Sequence, residues 1–225
     1  MQRTIKNSVS ISGVGIHTGV ITEMTLKPAK ANTGIRFIRI DIEGKPIIKA
    51  DVENVFSTKR STGIRYKKAE INTVEHILAA IVGAEIDNLI IEINNIEIPI
   101  LDGSSKGFTN LIDSAGIKIL NAKRDFFEIK RNIRFIDKES GTVILATPSD
   151  EYAVEVEIDY NSDVLKIQKA EMDSIQKFND EITSSRTFCF LHELEILLAN
   201  NLIKGGNVKN AIVIVDETIS NEKLK

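Results

Sequence analysis

The segment NTVEHILAAIV, residues 72–82, predicts a helix, because its apolar side chains recur at the three- and four-residue spacing of one helical face. The predicted helix runs from Val74 to about Val82, and small alanines fill most of its remaining surface. Glu75 and His76 are almost its only polar side chains. A helix that is apolar nearly all round is usually buried, so this pair is expected to lie inside the protein.

A buried carboxylate next to a buried imidazole needs partners, because leaving even an uncharged polar group unpaired costs roughly 2 to 7 kcal/mol. A metal ion would provide them. Neutral imidazole is a common zinc ligand, and a neighbouring carboxylate can take a proton from metal-bound water. The alternative is that Glu75 and His76 simply form hydrogen bonds inside a core, and the dipeptide alone does not exclude it.

The residues around this helix alternate between strand and helix patterns. Before it, Val20–Leu26 alternates apolar and polar residues, as a strand with one buried face does. After it, the pattern predicts a strand at Asn88–Ile93, a short apolar run at Ile96–Leu101, and a helix that Asp102 or Ser104 caps and that reaches Ser114.

The polar stretch Asn121–Asp125 interrupts the apolar pattern and predicts a domain boundary. Both sides begin with strands and continue with helices, so we expect an α+β fold with two similar domains at 1–121 and 122–225. In the second domain the pattern predicts a strand at Tyr152–Asp159, helices at Met172–Phe178 and His192–Asn200, and a buried strand at Ala211–Val215.

The composition excludes several classes of function. The 29 basic and 32 acidic residues give a net charge of -3 without long blocks of either sign, and tryptophan is absent, so nucleic acid is not an expected partner. The single cysteine, Cys189, cannot form an internal disulfide, which fits a reducing, cytoplasmic location. No apolar run approaches membrane-spanning length, so no membrane-spanning segment is expected.

Several sequence motifs together resemble one enzyme family. They occur in the order Val14–Gly19 (VGIHTG), Thr73–Leu78 (TVEHIL), Glu97–Ser104 (EIPILDGS), Ser185–Phe188 (SRTF) and Lys204–Asn207 (KGGN). In combination they closely resemble the UDP-3-O-acyl-N-acetylglucosamine deacetylases, and the match extends over almost the whole chain.

The resemblance implies two stacked α+β domains with helices between the sheets, and a small insert in each, near 50–70 and near 194–215. It implies zinc-dependent hydrolysis of an acylated sugar nucleotide, a small-molecule substrate, releasing acetate in the committed step of lipid A biosynthesis. His76 would be a zinc ligand and Glu75 the general base. Thr187 would donate a hydrogen bond to the oxyanion, Phe188 would pack on the substrate, and Lys59-Arg60-Ser61-Thr62 would line the pocket near the sugar.

Three further assignments are open. The resemblance suggests that apolar residues of the second insert wall a passage for the acyl chain, although such residues more often form ordinary core. They are Leu197, Leu198, Leu202, Ile203, Val208, Ile212 and Ile214. His17 lies near the metal or is a surface turn residue, and Asp102 orients a catalytic group or caps a helix.

The sequence departs from the family in its zinc ligands. The family's site needs a His-Lys-x-x-x-Asp helix and a later histidine, whereas this sequence has histidines only at 17, 76 and 192 and ends at Asn221–Lys225. A catalytic zinc takes three protein ligands, so the remaining Zn²⁺ ligands are absent from this sequence. We therefore expect a C-terminally truncated chain with an incomplete second domain and no activity alone. The alternative is a non-catalytic remnant or an α+β module that binds a substrate or partner.

Overall fold

The computed structural model describes residues 1–216, in which several small β-sheets and a few helices give the mixed content of an α+β fold. In the first half, the strands are β1 (Arg3–Ile5), β2 (Val9–Val14), β3 (Ile21–Pro28), β4 (Ile35–Arg39), β5 (Ile47–Lys49), β6 (Val55–Ser57), β7 (Gly63–Tyr66), β8 (Ala69–Ile71), β9 (Leu89–Ile93) and β10 (Ile117–Ile119). Its helices are α1 (Glu75–Gly83) and α2 (Lys106–Ala115). The predicted strand at 88–93 and the predicted helices near 74–82 and 102–114 are thus present within a few residues.

A five-stranded sheet with the order β2-β3-β9-β4-β5 forms the centre of this half. Only β4 and β9 run parallel, and the other pairs are antiparallel. Along β3 the side chains alternate as predicted, with Met24 and Leu26 fully buried. Together with Phe37 and Ile91 they join the core on which α1 and α2 pack. Each such side chain contributes about 1.5 to 3 kcal/mol through burial.

Helix α1 inserts one face into this core. Ile77, Ala80 and Ile81 are buried, but Val82 is 48% exposed, so the expectation of burial all round is wrong on that side. The helix starts after Thr73, whose φ of 61° turns the chain sharply. As a result its first turn, with Glu75 and His76, lies at the edge of the core, where both side chains are only partly buried.

The start of α2 differs from the prediction. Ser105 occupies the N-cap position without a side-chain cap bond. Asp102 accepts hydrogen bonds from the N–H and the hydroxyl of Ser104, at 3.0 and 2.7 Å, and the Ser104 hydroxyl accepts one from Lys106 N. Asp102 therefore stabilises the turn before the helix and does not cap it.

The second half is built of two-stranded sheets and short helices. Its strands are β11 (Ile133–Ile136), β12 (Val143–Ala146), β13 (Val154–Ile158), β14 (Gln168–Met172), β15 (Phe188–Phe190) and β16 (Ile212–Ile214), and its helices are α3 (Phe178–Glu181) and α4 (Leu194–Ala199). Short 3₁₀ turns at Ile175–Lys177 and Leu191–Glu193 precede the two helices.

Two predictions for the second half are wrong in detail. The predicted helix at 172–178 is mostly absent, because Met172 pairs with Val154 as the last residue of a β-ladder and regular α-helix begins only at Phe178. The predicted buried strand at 211–215 is a three-residue strand paired in parallel with β15, and Ile212 is 44% exposed. The strand at 152–159 and the helix at 192–200 are confirmed.

The two halves meet through backbone contacts at glycines. Thr187 N donates to Gly103 O at 2.8 Å, and a Cβ on Gly103 would overlap with the carbonyl of Asn210. The division at residue 121 and the stacked two-domain arrangement stay predictions. Asn221–Lys225, on which the expected truncation rests, lies outside the described residues. Among residues 1–216, no helix has the length and apolar character needed to cross a membrane.

Candidate active site

A cavity of about 260 Å³ lies between the first half and residues 187–213 of the second. Most of the sequence-predicted site residues share it. Its lining includes His17, Arg60, Glu75, His76, Thr187 and Phe188, together with Ile16, Thr73, Ile100, Cys189, Leu194, Leu197, Ile203, Gly206, Asn207, Val208, Ala211 and Val213. The carboxylate and imidazole groups of α1 and the imidazole of His17 therefore share the cavity with a largely apolar wall.

Glu75 and His76 enter the cavity from the first turn of α1. Thr62 N donates a hydrogen bond of 2.9 Å to Glu75 Oε2. Burial lowers the pKa of His76, against the opposing effect of the nearby Glu75 and Asp102 carboxylates. The imidazole is therefore neutral at pH 7, the state in which its nitrogen can bind a metal or accept a proton.

The glycine-rich turn around His17 is held by a buried carboxylate. Glu97 is fully buried, and its Oε1 accepts from His17 N at 2.9 Å and from the Thr73 hydroxyl at 3.1 Å. Its Oε2 accepts from Thr18 N at 2.8 Å and from the Thr18 hydroxyl at 2.7 Å. A Cβ on Gly15 would overlap with this carboxylate, so glycine is needed there. Glu97 thus joins the turn to Thr73, two residues before α1.

The sequence reasoning missed this role of Glu97, although one charged residue inside the apolar run 96–101 was a usable signal. The result is a His17 side chain that lines the cavity with its Nδ1 buried and without a hydrogen-bond partner among the described residues. A buried polar atom in this state favours a ligand or water in the cavity. His17 thus lies on the cavity lining, and its position near a metal stays a prediction.

Thr187 and Phe188 reach the cavity from the start of β15. Thr187 is held on both sides, because its N–H donates to Gly103 O at 2.8 Å and its carbonyl accepts from Ile212 N at 3.0 Å. The ring of Phe188 makes edge contacts with those of Tyr160 and Phe190, with centroid distances of 5.5 and 6.0 Å. Both side chains are therefore carried on a fixed backbone.

Some predicted residues lie beside the cavity rather than on its lining. In the 59–62 loop only Arg60 is a lining residue, while Thr62 acts through its N–H on Glu75. Asp102 is exposed and acts on His76 only electrostatically. Of the residues proposed for an acyl passage, Leu197, Ile203 and Val208 line the cavity. Cys189 is a half-buried lining residue.

A sequence profile of the LpxC family, UDP-3-O-acyl N-acetylglycosamine deacetylase, matches residues 2–225. The chain belongs to this family. It is 40% identical over 221 residues to the bifunctional enzyme LpxC/FabZ of Bacteroides thetaiotaomicron, covering 98% of this chain and 48% of that protein. It is 42% identical over 217 residues to the UDP-3-O-acyl-N-acetylglucosamine deacetylase of Colwellia psychrerythraea, covering 95% of this chain and 70% of that protein.

The corresponding deacetylase of Psychrobacter sp. is 36% identical over 225 residues, covering 99% of this chain and 75% of that protein. The chain thus spans about half the length of the bifunctional LpxC/FabZ relatives and about three quarters or less of the two deacetylases. Membership of the LpxC family confirms the family resemblance that the sequence motifs indicated.

The donor set among the described residues does not by itself fit the zinc ion that the resemblance implies. The neutral imidazole of His76 suits a ligand, but residues 1–216 contain no group of three or more His, Cys, Asp or Glu side chains that could hold a metal. A catalytic zinc in proteins has three protein ligands.

Proposed function

We propose that this chain carries the substrate site and part of the catalytic machinery of a zinc-dependent hydrolase that removes acetate from UDP-3-O-acyl-N-acetylglucosamine, the committed step of lipid A biosynthesis. The observation that carries the proposal is the shared cavity of Glu75, His76 and Thr187 in a chain of the LpxC family. The relatives named as deacetylases support the choice of substrate.

Glu75 is proposed as the general base. A carboxylate activates water by accepting its proton, and it must be held within hydrogen-bond reach of that water. The bond from Thr62 N to Oε2 fixes one carboxylate oxygen, and the helix start fixes the backbone behind it. The proton that Glu75 accepts from water would later be available for the departing sugar amine.

Thr187 is proposed to stabilise the tetrahedral intermediate. The attack of water on the acetamide carbonyl places negative charge on its oxygen, and a hydroxyl fixed in advance stabilises that charge without reorganising. The two backbone bonds of Thr187 provide the rigidity that this role needs. His76 is proposed as one ligand of the zinc, with the remaining ligands outside the described residues.

The remaining lining is proposed to bind the substrate. Phe188 would pack on it. The loop Lys59-Arg60-Ser61-Thr62, of which only Arg60 lines the cavity, would lie near the sugar as part of the pocket's rim. The apolar side chains of Leu194, Leu197, Ile203 and Val213, all on the cavity wall, suit an acyl chain better than a polar group. The same apolar lining would serve a non-catalytic binding module, which is the second candidate function.

Acetate release from UDP-3-O-acyl-N-acetylglucosamine tests the proposal, with the protein expressed from its complete reading frame. Glu75→Gln should lower kcat by at least about 10²-fold, the usual contribution of general base catalysis, while zinc content stays unchanged. Glu92→Gln, which removes a carboxylate paired with Lys27 on the central sheet, is the matched control and should keep full activity.

Two results would contradict the proposal. Substrate binding without any turnover in the unsubstituted protein would favour the binding module. Full activity in Glu75→Gln would exclude Glu75 as the base even if the protein is a deacetylase.

A further inference from the structure

The loop between β6 and β7, residues 58–62, is anchored at two points. At its end, Thr62 N donates to Glu75 Oε2 at 2.9 Å, and Thr62 O accepts from Val74 N at 3.2 Å. Two residues earlier, the Arg60 guanidinium forms an ion pair with Glu193, which is 133 residues away in sequence. One short segment therefore connects the proposed base with the second half of the protein.

The backbone conformation of Arg60 indicates that contacts around this second anchor hold the loop in place. Its φ is 65°, in the left-handed region that costs a non-glycine residue about 1 kcal/mol or more. Such a conformation persists only when the surrounding contacts enforce it. Among the described residues, the side-chain hydrogen bond that Arg60 makes is the one to Glu193, whose side chain is 21% exposed, and the backbone bonds of Thr62 hold the loop two residues later.

Glu193 is itself well placed to act as a fixed anchor. Its second carboxylate oxygen accepts a hydrogen bond of 3.1 Å from Phe190 N, which fixes it at the junction of β15 and α4. The hydrogen bond from Arg60 lowers the pKa of Glu193, so the carboxylate is charged at neutral pH. Leu194 and Leu197, which follow on α4, line the apolar wall of the cavity.

We infer that Arg60 and Glu193 form a positioning pair, which holds the 58–62 loop against α4 and through Thr62 keeps the Glu75 carboxylate oriented. Arg60 then acts on the reaction through Glu75 rather than by touching the substrate, and Glu193 becomes a site residue to which neither the sequence motifs nor the family resemblance gave a role. The kinetic part of this inference rests on the proposed deacetylase function, but the structural part does not.

Hydrogen exchange of the loop tests the structural part, on the protein from its complete reading frame. Arg60→Met and Glu193→Gln should each accelerate exchange in the peptide that contains Thr62 by about two- to five-fold, as expected for a partly exposed pair. Because both variants break the same contact, the double variant should exchange no faster than the single ones. Arg60→Lys, which keeps the charge, should recover most of the protection.

Glu70→Gln is the matched control, since it removes the Arg65–Glu70 pair of the same small sheet and leaves Arg65 stacked on Phe56, without touching α4. It should leave exchange at Thr62 unchanged. An equal acceleration in Glu70→Gln, additive effects of the two pair variants, or no acceleration at all would each overturn the inference.

Steady-state kinetics separates a positioning role from a substrate contact. If Arg60 orients Glu75, Arg60→Met and Glu193→Gln lower kcat by a similar factor and leave KM nearly unchanged. A rise in KM in Arg60→Met alone, with kcat and Glu193→Gln unaffected, would assign Arg60 to the substrate and overturn the inference. If the unsubstituted protein releases no acetate, the proposed function fails, while the exchange result still decides whether the pair holds the loop.

Discussion

Replacing Glu97 by glutamine is expected to weaken the whole site, because four donors converge on this buried carboxylate. They are His17 N and the Thr73 hydroxyl on one oxygen, and Thr18 N and the Thr18 hydroxyl on the other. Glutamine offers one acceptor oxygen, and its NH₂ group must face one of the two donor pairs. The hydroxyl in that pair can rotate to accept, but the backbone N–H cannot.

The expected cost follows from this count. One buried N–H without an acceptor costs about 1 to 3 kcal/mol, and the remaining bonds lose the additional strength that a charged acceptor provides, about 1 kcal/mol in all. Glu97→Gln should therefore lower the free energy of unfolding by about 2 to 4 kcal/mol. Glu92→Gln should cost less than about 1 kcal/mol, because Glu92 makes a partly exposed pair with Lys27.

Urea unfolding followed by far-UV circular dichroism measures both variants, since the chain has no tryptophan for a fluorescence signal. The slope of the free energy against urea should stay the same, so that the midpoint reports the change. A loss of less than about 1 kcal/mol for Glu97→Gln, similar to that of Glu92→Gln, would show that the carboxylate does not hold the 15–18 turn as described.

Three further predictions concern the site and the contact between the halves. Thr187→Val should lower kcat about 10²-fold while Thr187→Ser keeps most of it, and an equal loss in both would exclude the hydroxyl from the reaction. Gly83→Ala should cost about 1 to 3 kcal/mol in urea unfolding, because its Cβ would overlap with the ring of Phe178, and Phe178→Leu in the same chain should recover part of this. Because burial lowers the pKa of His76, the folded protein binds fewer protons than the unfolded protein below about pH 6.5. The free energy of unfolding, measured with a chelator present, should therefore fall as pH drops from about 6.5 toward the lowered pKa. His76→Gln should reduce this dependence on pH.

The elements that could be predicted from sequence are those with a regular apolar period. The strand at 88–93 and helix α1 lie where the period places them, because their buried faces join one core. The apolar period predicted a helix at 172–178, but Met172 is the last residue of a β-ladder and α-helix begins only at Phe178. A short apolar stretch that joins a strand to a helix has too few residues to show either period, and its neighbours decide which one forms.

The members of the site could be predicted only in part, for a related reason. Glu75 and His76 stand out in an apolar helix, and the family motifs add Thr187, but no local pattern shows that Arg60 meets Glu193 or that Glu97 holds His17. The contacts that bring these residues together depend on close backbone approaches at Gly15, which packs on the Glu97 carboxylate, and at Gly103, which packs on Asn210. A glycine in a sequence is consistent with close packing of another segment on its backbone, but it does not identify that segment. The partner of Gly15 is fixed when the first half folds, and the partner of Gly103 only when the two halves pack. Through the Arg60–Glu193 pair, the geometry of the proposed base also depends on a contact that crosses between the halves.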